Sequence, residues 1–187
     1  IGVRLVGSEM CIRDSPSVLS LVEKIVDLCG DELEVKEYQR MTELKVENKV
    51  ISLGEMQKSD ALIVFSRRNA LRYKRDLEKL NFKVSIVYGR LSPEVRREQA
   101  RKFDHQETDI IVATDAISMG MNLPIKRIVF STLSKFYDSQ EHEITEGEIK
   151  QIAGRAGRFQ RFPVGFVNCL TKVEDGLEVV ESALSMD

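Results

Sequence analysis

From Asp60 onward the chain alternates between two hydrophobic periods, and this alternation restricts its fold more than any other feature. Residues 61–65 form an apolar run of strand length, and residues 67–80 follow with Ala70, Tyr73, Leu77 and Leu80 at helical spacing. Residues 84–88 read as the next strand, after which Pro93 opens a helix at a position where a proline loses no hydrogen bond. Residues 109–113, 127–131 and 164–168 supply three further apolar runs. A closing helix puts Leu177, Val180, Ala183 and Leu184 on one face. Strands so uniformly apolar must be covered on both sides. The expected fold class is therefore α/β: a mostly parallel sheet sandwiched by helices.

Residues 16–58 are read as a lead-in to this domain and residues 59–187 as the domain proper. Within the lead-in, residues 18–28 have helical periodicity, residues 33–38 alternate like a strand, and residues 50–56 suit either state. Residues 1–15 match no secondary-structure period. Their string Val-Gly-Ser-Glu-Met-Cys-Ile-Arg-Asp-Ser resembles translated adapter read-through and is set aside as extraneous. On that reading a native N-terminal part precedes this chain.

Composition narrows the function classes. With 187 residues and 42% apolar content, one core of ordinary size is expected, and no apolar run is long enough to span a membrane. The net charge of −2 hides a segregation: residues 66–102 carry twelve Lys/Arg against four Asp/Glu, whereas residues 138–148 carry five acids and no Lys or Arg. A basic stretch flanked by acidic surface suits a polyanion bound along one track. Cys11, Cys29 and Cys169 are far apart and form no C-x-x-C pair, so neither a metal centre nor a disulfide framework is expected, and reduced intracellular chemistry is the default.

Residues 151–158, Gln-Ile-Ala-Gly-Arg-Ala-Gly-Arg, set Gln151, Arg155 and Arg158 at spacings of four and three. On a helix these three fall within roughly 60° of one another, and Ile149, Ile152, Ala153 and Ala156 take the opposite, apolar stripe. A capping box, Thr145-Glu146-Gly147-Glu148, stands at the start. A guanidinium is always charged and presents a fixed fork of donors, so the polar stripe suits an anion, above all a phosphoryl group gaining charge.

Three earlier segments place polar residues at the carboxyl ends of strands, where ligands of open α/β sheets bind. Ser66 and Arg67 follow the first strand, with Ser66 also suited to capping the next helix. Gly89 and Arg90 follow the second; a turn relaxed by Gly89 is one reading, and Arg90 is the stronger functional candidate. Thr114 follows the third, within Val-Ala-Thr-Asp-Ala-Ile-Ser-Met-Gly-Met-Asn-Leu-Pro at residues 112–124. No Gly-x-x-x-x-Gly-Lys-Ser/Thr sequence and no Asp-Glu box occurs, so the chain cannot build a complete ATP site by itself.

In chain order, residues 61–66, 112–124 and 151–158 resemble motifs IV, V and VI of superfamily-two helicases. The phrases Phe-Ser-Arg-Arg at 65–68, Val-Tyr-Gly-Arg-Leu-Ser-Pro at 87–93 and Met-Gly-Met-Asn at 119–122 are most similar to DExH-type RNA helicases of the mitochondrial degradosome family and their bacterial counterparts. The resemblance implies a second RecA-like domain, P-loop NTPase-like in fold but lacking its own P-loop. It further implies Gln151, Arg155 and Arg158 as catalytic residues, with both arginines as fingers on the γ-phosphate of ATP. Gly120, Asn122 and Gly154 would lie against the nucleotide, and Ser66, Arg67, Arg90 and Thr114 on the phosphates of a bound strand. Family relatives place Asp where this chain has Asn122.

ATP and Mg²⁺ would be held by a first RecA-like domain of the same polypeptide, and this chain alone would be inactive. RNA is the implied polymer and an exoribonuclease of degradosome type a further implied partner. The location would be cytoplasmic in a bacterium or the mitochondrial matrix in a eukaryote. Two rivals stay open: a superfamily-two DNA helicase domain, since backbone grips do not distinguish sugars, and a non-catalytic nucleic-acid-binding module of the same fold.

Overall fold

The computed structural model describes residues 4–6, 9–11, 18–36, 42–118, 121–158 and 161–185. The chain divides into two units, Ile1–Gln39 and Arg40–Asp187. In the first, β1 (Arg4–Val6) and β2 (Glu9–Cys11) pair antiparallel, and α1 spans Leu19–Cys29. Strands of three residues are too short to show a period, which is why residues 1–15 looked structureless in sequence. α1 ends where Gly30 adopts φ 71°, a left-handed conformation that costs glycine little. Residues 33–36, expected to begin a strand, form no regular element and pair with no strand among the described residues. The rest of that expected strand lies outside the described residues.

The second unit holds β3 (Glu43–Val46), β4 (Asp60–Ile63), α2 (Arg67–Lys79), β5 (Val84–Val87), α3 (Pro93–Asp104), β6 (Ile110–Ala113) and β7 (Arg127–Phe130). β8 (Ser134–Tyr137), β9 (Gln140–Glu143), α4 (Glu146–Ala153), β10 (Val164–Cys169) and α5 (Gly176–Ser185) complete it. Six strands form one sheet in the order β3-β10-β7-β4-β6-β5, and every pair in it is parallel. The five strands read from sequence beyond Asp60 are all present, together with β3, whose charged, alternating Glu-Leu-Lys-Val concealed it at the sheet edge.

Period-two alternation sorts the strand side chains onto two faces. Ala61, Ile63, Ile111, Ala113, Ile128 and Phe130 pack with Phe103 of α3, Ile149 and Ile152 of α4, and Val180 and Ala183 of α5. Leu62, Val64, Ile110, Val112 and Val129 point the other way, onto Ala70, Tyr73 and Leu77 of α2 and onto Ile51 and Met56. The sandwich is therefore asymmetric: α2 covers one face, and α3, α4 and α5 cover the other.

The amino ends of the strands are pinned by charge. Arg127 is buried and forks its guanidinium between both carboxylate oxygens of Asp60, at 3.1 and 2.6 Å, while also reaching Glu47 at 3.0 Å. Burial alone would lower the pKa of Arg127, but the Asp60 and Glu47 carboxylates outweigh burial and hold it above its ordinary value. Glu47 also accepts from Asn168 of β10. One network thus ties β4, β7 and β10 to the chain leaving β3.

Candidate nucleotide and nucleic-acid sites

The parallel register brings the carboxyl ends of the central strands to one level. Ile63 pairs with both Ala113 and Phe130, and Val87 with Ala113. The ladders run one residue further, with Val64 N donating to Ala113 O, Thr114 N to Val87 O and Ser131 N to Ile63 O. Ser66, Arg67, Arg90 and Thr114 consequently gather at one edge. Ser66 caps α2: its Oγ accepts from Asn69 N at 3.1 Å, leaving the hydroxyl proton to donate outward. Thr114 is largely buried, and its Oγ1 accepts from Ala116 N at 3.3 Å, at the start of a 3₁₀ turn over Asp115–Ser118.

Arg67 is exposed, with its guanidinium carbon 5.5 Å from the centre of the Tyr88 ring, so the loops after β4 and β5 touch through a cation–π contact. Arg90 is also exposed. Gly89 beside it is not needed for backbone freedom: it is absent from the positive-φ glycines, and an added Cβ would meet nothing within 4 Å. Its carbonyl accepts from Arg96 at 3.0 Å. Arg96, a basic residue of α3, is thereby committed to the chain's own backbone.

The Gln151/Arg155/Arg158 helix stripe needs correction. α4 stops at Ala153; Gly154 caps it, and Arg155 N and Ala156 N fold back to Ile152 O and Ala153 O. Gln151 is exposed on the helix, but Arg155 and Arg158 lie beyond it. Ala156 then bridges Ile125, and Gly157 N donates to Ile125 O at 2.8 Å. The physical reason is a close approach between backbones. Gly157 has φ 83°, and a Cβ on Gly165 would stand 2.5 Å from the carbonyl of Ala156. The chain cannot be helical here and still pass so close to β10. The apolar half of the expectation holds, since Ile149, Ile152, Ala153 and Ala156 are all buried.

Upstream, the capping box forms as expected: Thr145 Oγ1 accepts from Glu148 N, and Glu148 accepts from Thr145 N at 3.0 Å. Lys135 of β8 also donates to Glu148 and holds its carboxyl below the usual carboxylate range. β8 and β9 form a two-residue hairpin that sequence reasoning missed. Its turn uses Asp138 and Ser139 at φ 51° and 63°, without the Asn-Gly or Asp-Gly pair that usually marks such turns.

Met121, Asn122, Leu123, Ile125, Gly154, Arg155 and Gly157 line a pocket of about 110 Å³. It unites Asn122, Gly154 and Arg155 from the candidate nucleotide set. Arg155 donates to the carbonyl of Ser118 across its rim. Gly120 lies outside the described residues, and Gln151 does not line the pocket. Arg158 turns away to an ion pair with Asp104 at 3.5 Å, which Asp104 shares with Arg161 at 3.1 Å. The pocket is smaller than the roughly 300 Å³ at which small-molecule sites begin, so it can form one wall of a nucleotide site but not enclose one.

The two candidate sites draw on different positions along the strands and touch where Arg155 reaches the carbonyl of Ser118, four residues after Thr114. Thr114 and Ser66 follow strand ends, whereas Ile125, which pairs with Ala156, is two residues ahead of β7, and Asp104 closes α3 before β6 begins. The basic stretch of residues 66–102 is likewise divided rather than laid along one track. Its α2 half lies on one face of the sheet and its α3 half on the other, where Arg101 is held by Glu98 at 2.8 Å and Glu107 at 2.6 Å.

Residues 44–160 match the family model for the helicase conserved C-terminal domain. The chain belongs to that family. It is 43% identical over 156 residues to the mitochondrial ATP-dependent RNA helicase SUV3 of Candida albicans, covering 83% of this chain and 22% of that protein. It is 42% identical over 185 residues to the mitochondrial DExH-box ATP-dependent RNA helicase DExH16 of Arabidopsis thaliana, covering 96% of this chain and 32% of the relative. The chain thus spans between a fifth and a third of the curated relatives it matches. In structure it resembles the C-terminal domain of the DEAD-box protein Dbp5, with a TM-score of 0.56, 17% identity, and coverage of 76% and 83% of the two chains. That likeness shows the fold, a RecA-like C-terminal domain.

Proposed function

We propose that this chain is the C-terminal motor domain of an ATP-dependent RNA helicase. A preceding RecA-like domain holds ATP and Mg²⁺; the present domain closes on the nucleotide with the Asn122/Gly154/Arg155 pocket and grips an RNA backbone with its carboxyl edge. The observation that carries this reading is the meeting of Asn122, Gly154 and Arg155 in one shallow pocket. Three residues from two distant segments gain nothing evident for the core by converging at the surface. As a half-site they supply polar contacts and a guanidinium to a phosphate brought from outside.

Arg155 and Arg158 act as the fingers, and to reach a phosphate they give up the Ser118 carbonyl and the Asp104 carboxylate. The Arg158–Asp104 pair is partly exposed and weak, whereas the Ser118 carbonyl is buried and has to find another donor when Arg155 leaves it. Phosphate contacts from Ser66, Arg67, Arg90 and Thr114 position the strand without reading its bases. The relatives are mitochondrial RNA helicases, which supports RNA as the polymer and a mitochondrial location. An exoribonuclease of degradosome type is the proposed partner of the whole protein.

The experiment is ATP turnover by the chain rejoined to a cognate first domain. Arg155→Ala and Arg158→Ala each lower RNA-stimulated turnover by about 10³-fold or more, as removal of a charge-stabilising finger does. Near-normal turnover in both variants contradicts the finger assignment. The chain alone hydrolyses no ATP, and robust turnover by it contradicts the half-site reading.

A further inference from the structure

α2 carries Arg68, Arg72, Arg75 and Lys79 at intervals of four, three and four. At 3.6 residues per turn these side chains fall within about 60° of one another, opposite the buried stripe of Ala70, Tyr73 and Leu77. All four are exposed. They put four positive charges along about 16 Å of helix with no carboxylate in the stripe. The single carboxylate pair among them within ion-pair distance is Lys79 with Asp76, at 3.6 Å and largely in water. α3 is the counterexample in the same molecule, because there Glu98 and Glu107 neutralise Arg101.

A second observation adds to the charge. Lys172, from the loop after β10, sits with its Nζ 5.2 Å from the centre of the Tyr73 ring, which Arg72 also approaches at 5.0 Å. Like charges spaced four apart weaken a helix. A face selected only for solubility would interleave acids, as α3 does, and the α2 stripe does not. It also begins one residue after Arg67, so it is continuous with the candidate phosphate edge. The helix after a parallel strand runs back against it, which leads the stripe away from that edge.

We propose that the Arg68/Arg72/Arg75/Lys79 stripe, with Lys172, is a second phosphate track that carries the flank of a single-stranded RNA off the carboxyl edge and along α2. This rests on the nucleic-acid reading of that edge. An acidic protein would also meet charge here. The stripe has no apolar anchor of the kind protein interfaces place at their centre, and its continuity with the edge favours RNA.

The test is the triple variant Arg72→Gln/Arg75→Gln/Lys79→Gln of this chain, which keeps good helix formers and leaves the buried face intact. Circular dichroism checks that the fold is retained. Binding of labelled oligouridylates of about six and about eighteen nucleotides is measured by anisotropy across a salt series, lengths chosen to fall below and above a typical single-strand site. For the long oligomer, the slope of log affinity against log salt falls by about 2, near 0.7 per lost phosphate contact. The short oligomer, confined to the edge, binds as to the unchanged protein.

Equal behaviour of variant and unchanged protein on the long oligomer overturns the proposal, as does an equal loss on both lengths. Polyglutamate binding that the triple variant loses, with RNA binding intact, overturns it in favour of an acidic protein. If the unchanged chain binds neither oligomer, the edge reading has failed and the track falls with it. Failure of the track alone leaves short-oligomer binding that Arg90→Gln weakens.

Discussion

At the carboxyl edge, Ser66 and Thr114 are fixed by the strands they follow and by the amides they cap, so their hydroxyls are already held in place. Beyond α4, Arg155 and Arg158 ride on a segment with no regular element, held by the Gly157–Gly165 approach and by the Ile125 bridge. Their guanidiniums are bound to the chain's own oxygens. In the proposed cycle the first region holds the polymer throughout, and the second exchanges partners when another domain arrives. The two regions meet where Arg155 donates to the carbonyl of Ser118, next to Ala156 on its bridge to Ile125.

The largest stability effect is expected in the foundation that both regions share. Arg127→Met leaves the buried Asp60 carboxylate without its cation and costs about 3–5 kcal/mol of unfolding free energy, measured by chemical denaturation. A loss under about 1 kcal/mol would show that Asp60 is paired well enough elsewhere.

Gly165→Ala comes next and bears on the second region alone. Its new Cβ would stand 2.5 Å from the Ala156 carbonyl, a backbone atom that cannot step aside cheaply, so a cost of about 1–3 kcal/mol is expected. RNA affinity is expected to survive while turnover in the two-domain protein falls. If both survive, the segment tolerates displacement and its role in placing Arg155 is wrong.

Smaller effects come from the cap of α4. Thr145→Ala removes the hydroxyl that accepts from Glu148 N and costs about 1 kcal/mol by thermal or chemical denaturation. Glu148→Gln gives the sign of the charge contribution. The Lys135 hydrogen bond, opposed by partial burial, holds the folded carboxyl below its ordinary value of 4.5. The stabilisation from Glu148 is therefore present above pH 4.5 and lost as pH falls through the lower folded value. The stability difference between unchanged protein and Glu148→Gln should shrink as pH drops below 4.5, and growth instead would refute the Lys135 pairing.

Much of this architecture was legible in the sequence because each central strand is buried on both faces and each following helix is buried on one. Two periods were enough to place β4, α2, β5, α3, β6, β7, β10 and α5. The misreadings came where long-range geometry overrides local pattern. Residues 151–158 keep a helical apolar period, yet Gly165 of β10 pulls the second half out of the helix. The two glycines in Gly-Arg-Ala-Gly-Arg were the local signal for that break. β8 and β9 were hidden by polar strands and a turn without glycine. β3 was hidden by its charges, and its place in the sheet follows only from pairing with β10. The joining of Asn122 to Gly154 and Arg155 had no sequence signature beyond the family resemblance.

Whether the two regions act separately is tested by one paired measurement in the two-domain protein: RNA affinity and maximal RNA-stimulated turnover for Arg155→Ala and Thr114→Ala side by side. Arg155→Ala should keep RNA affinity within about twofold and lose about 10³-fold in turnover. Thr114→Ala should weaken RNA binding by about tenfold, in line with a lost phosphate hydrogen bond, and keep turnover at saturating RNA. Parallel loss of both quantities in either variant would contradict separate action.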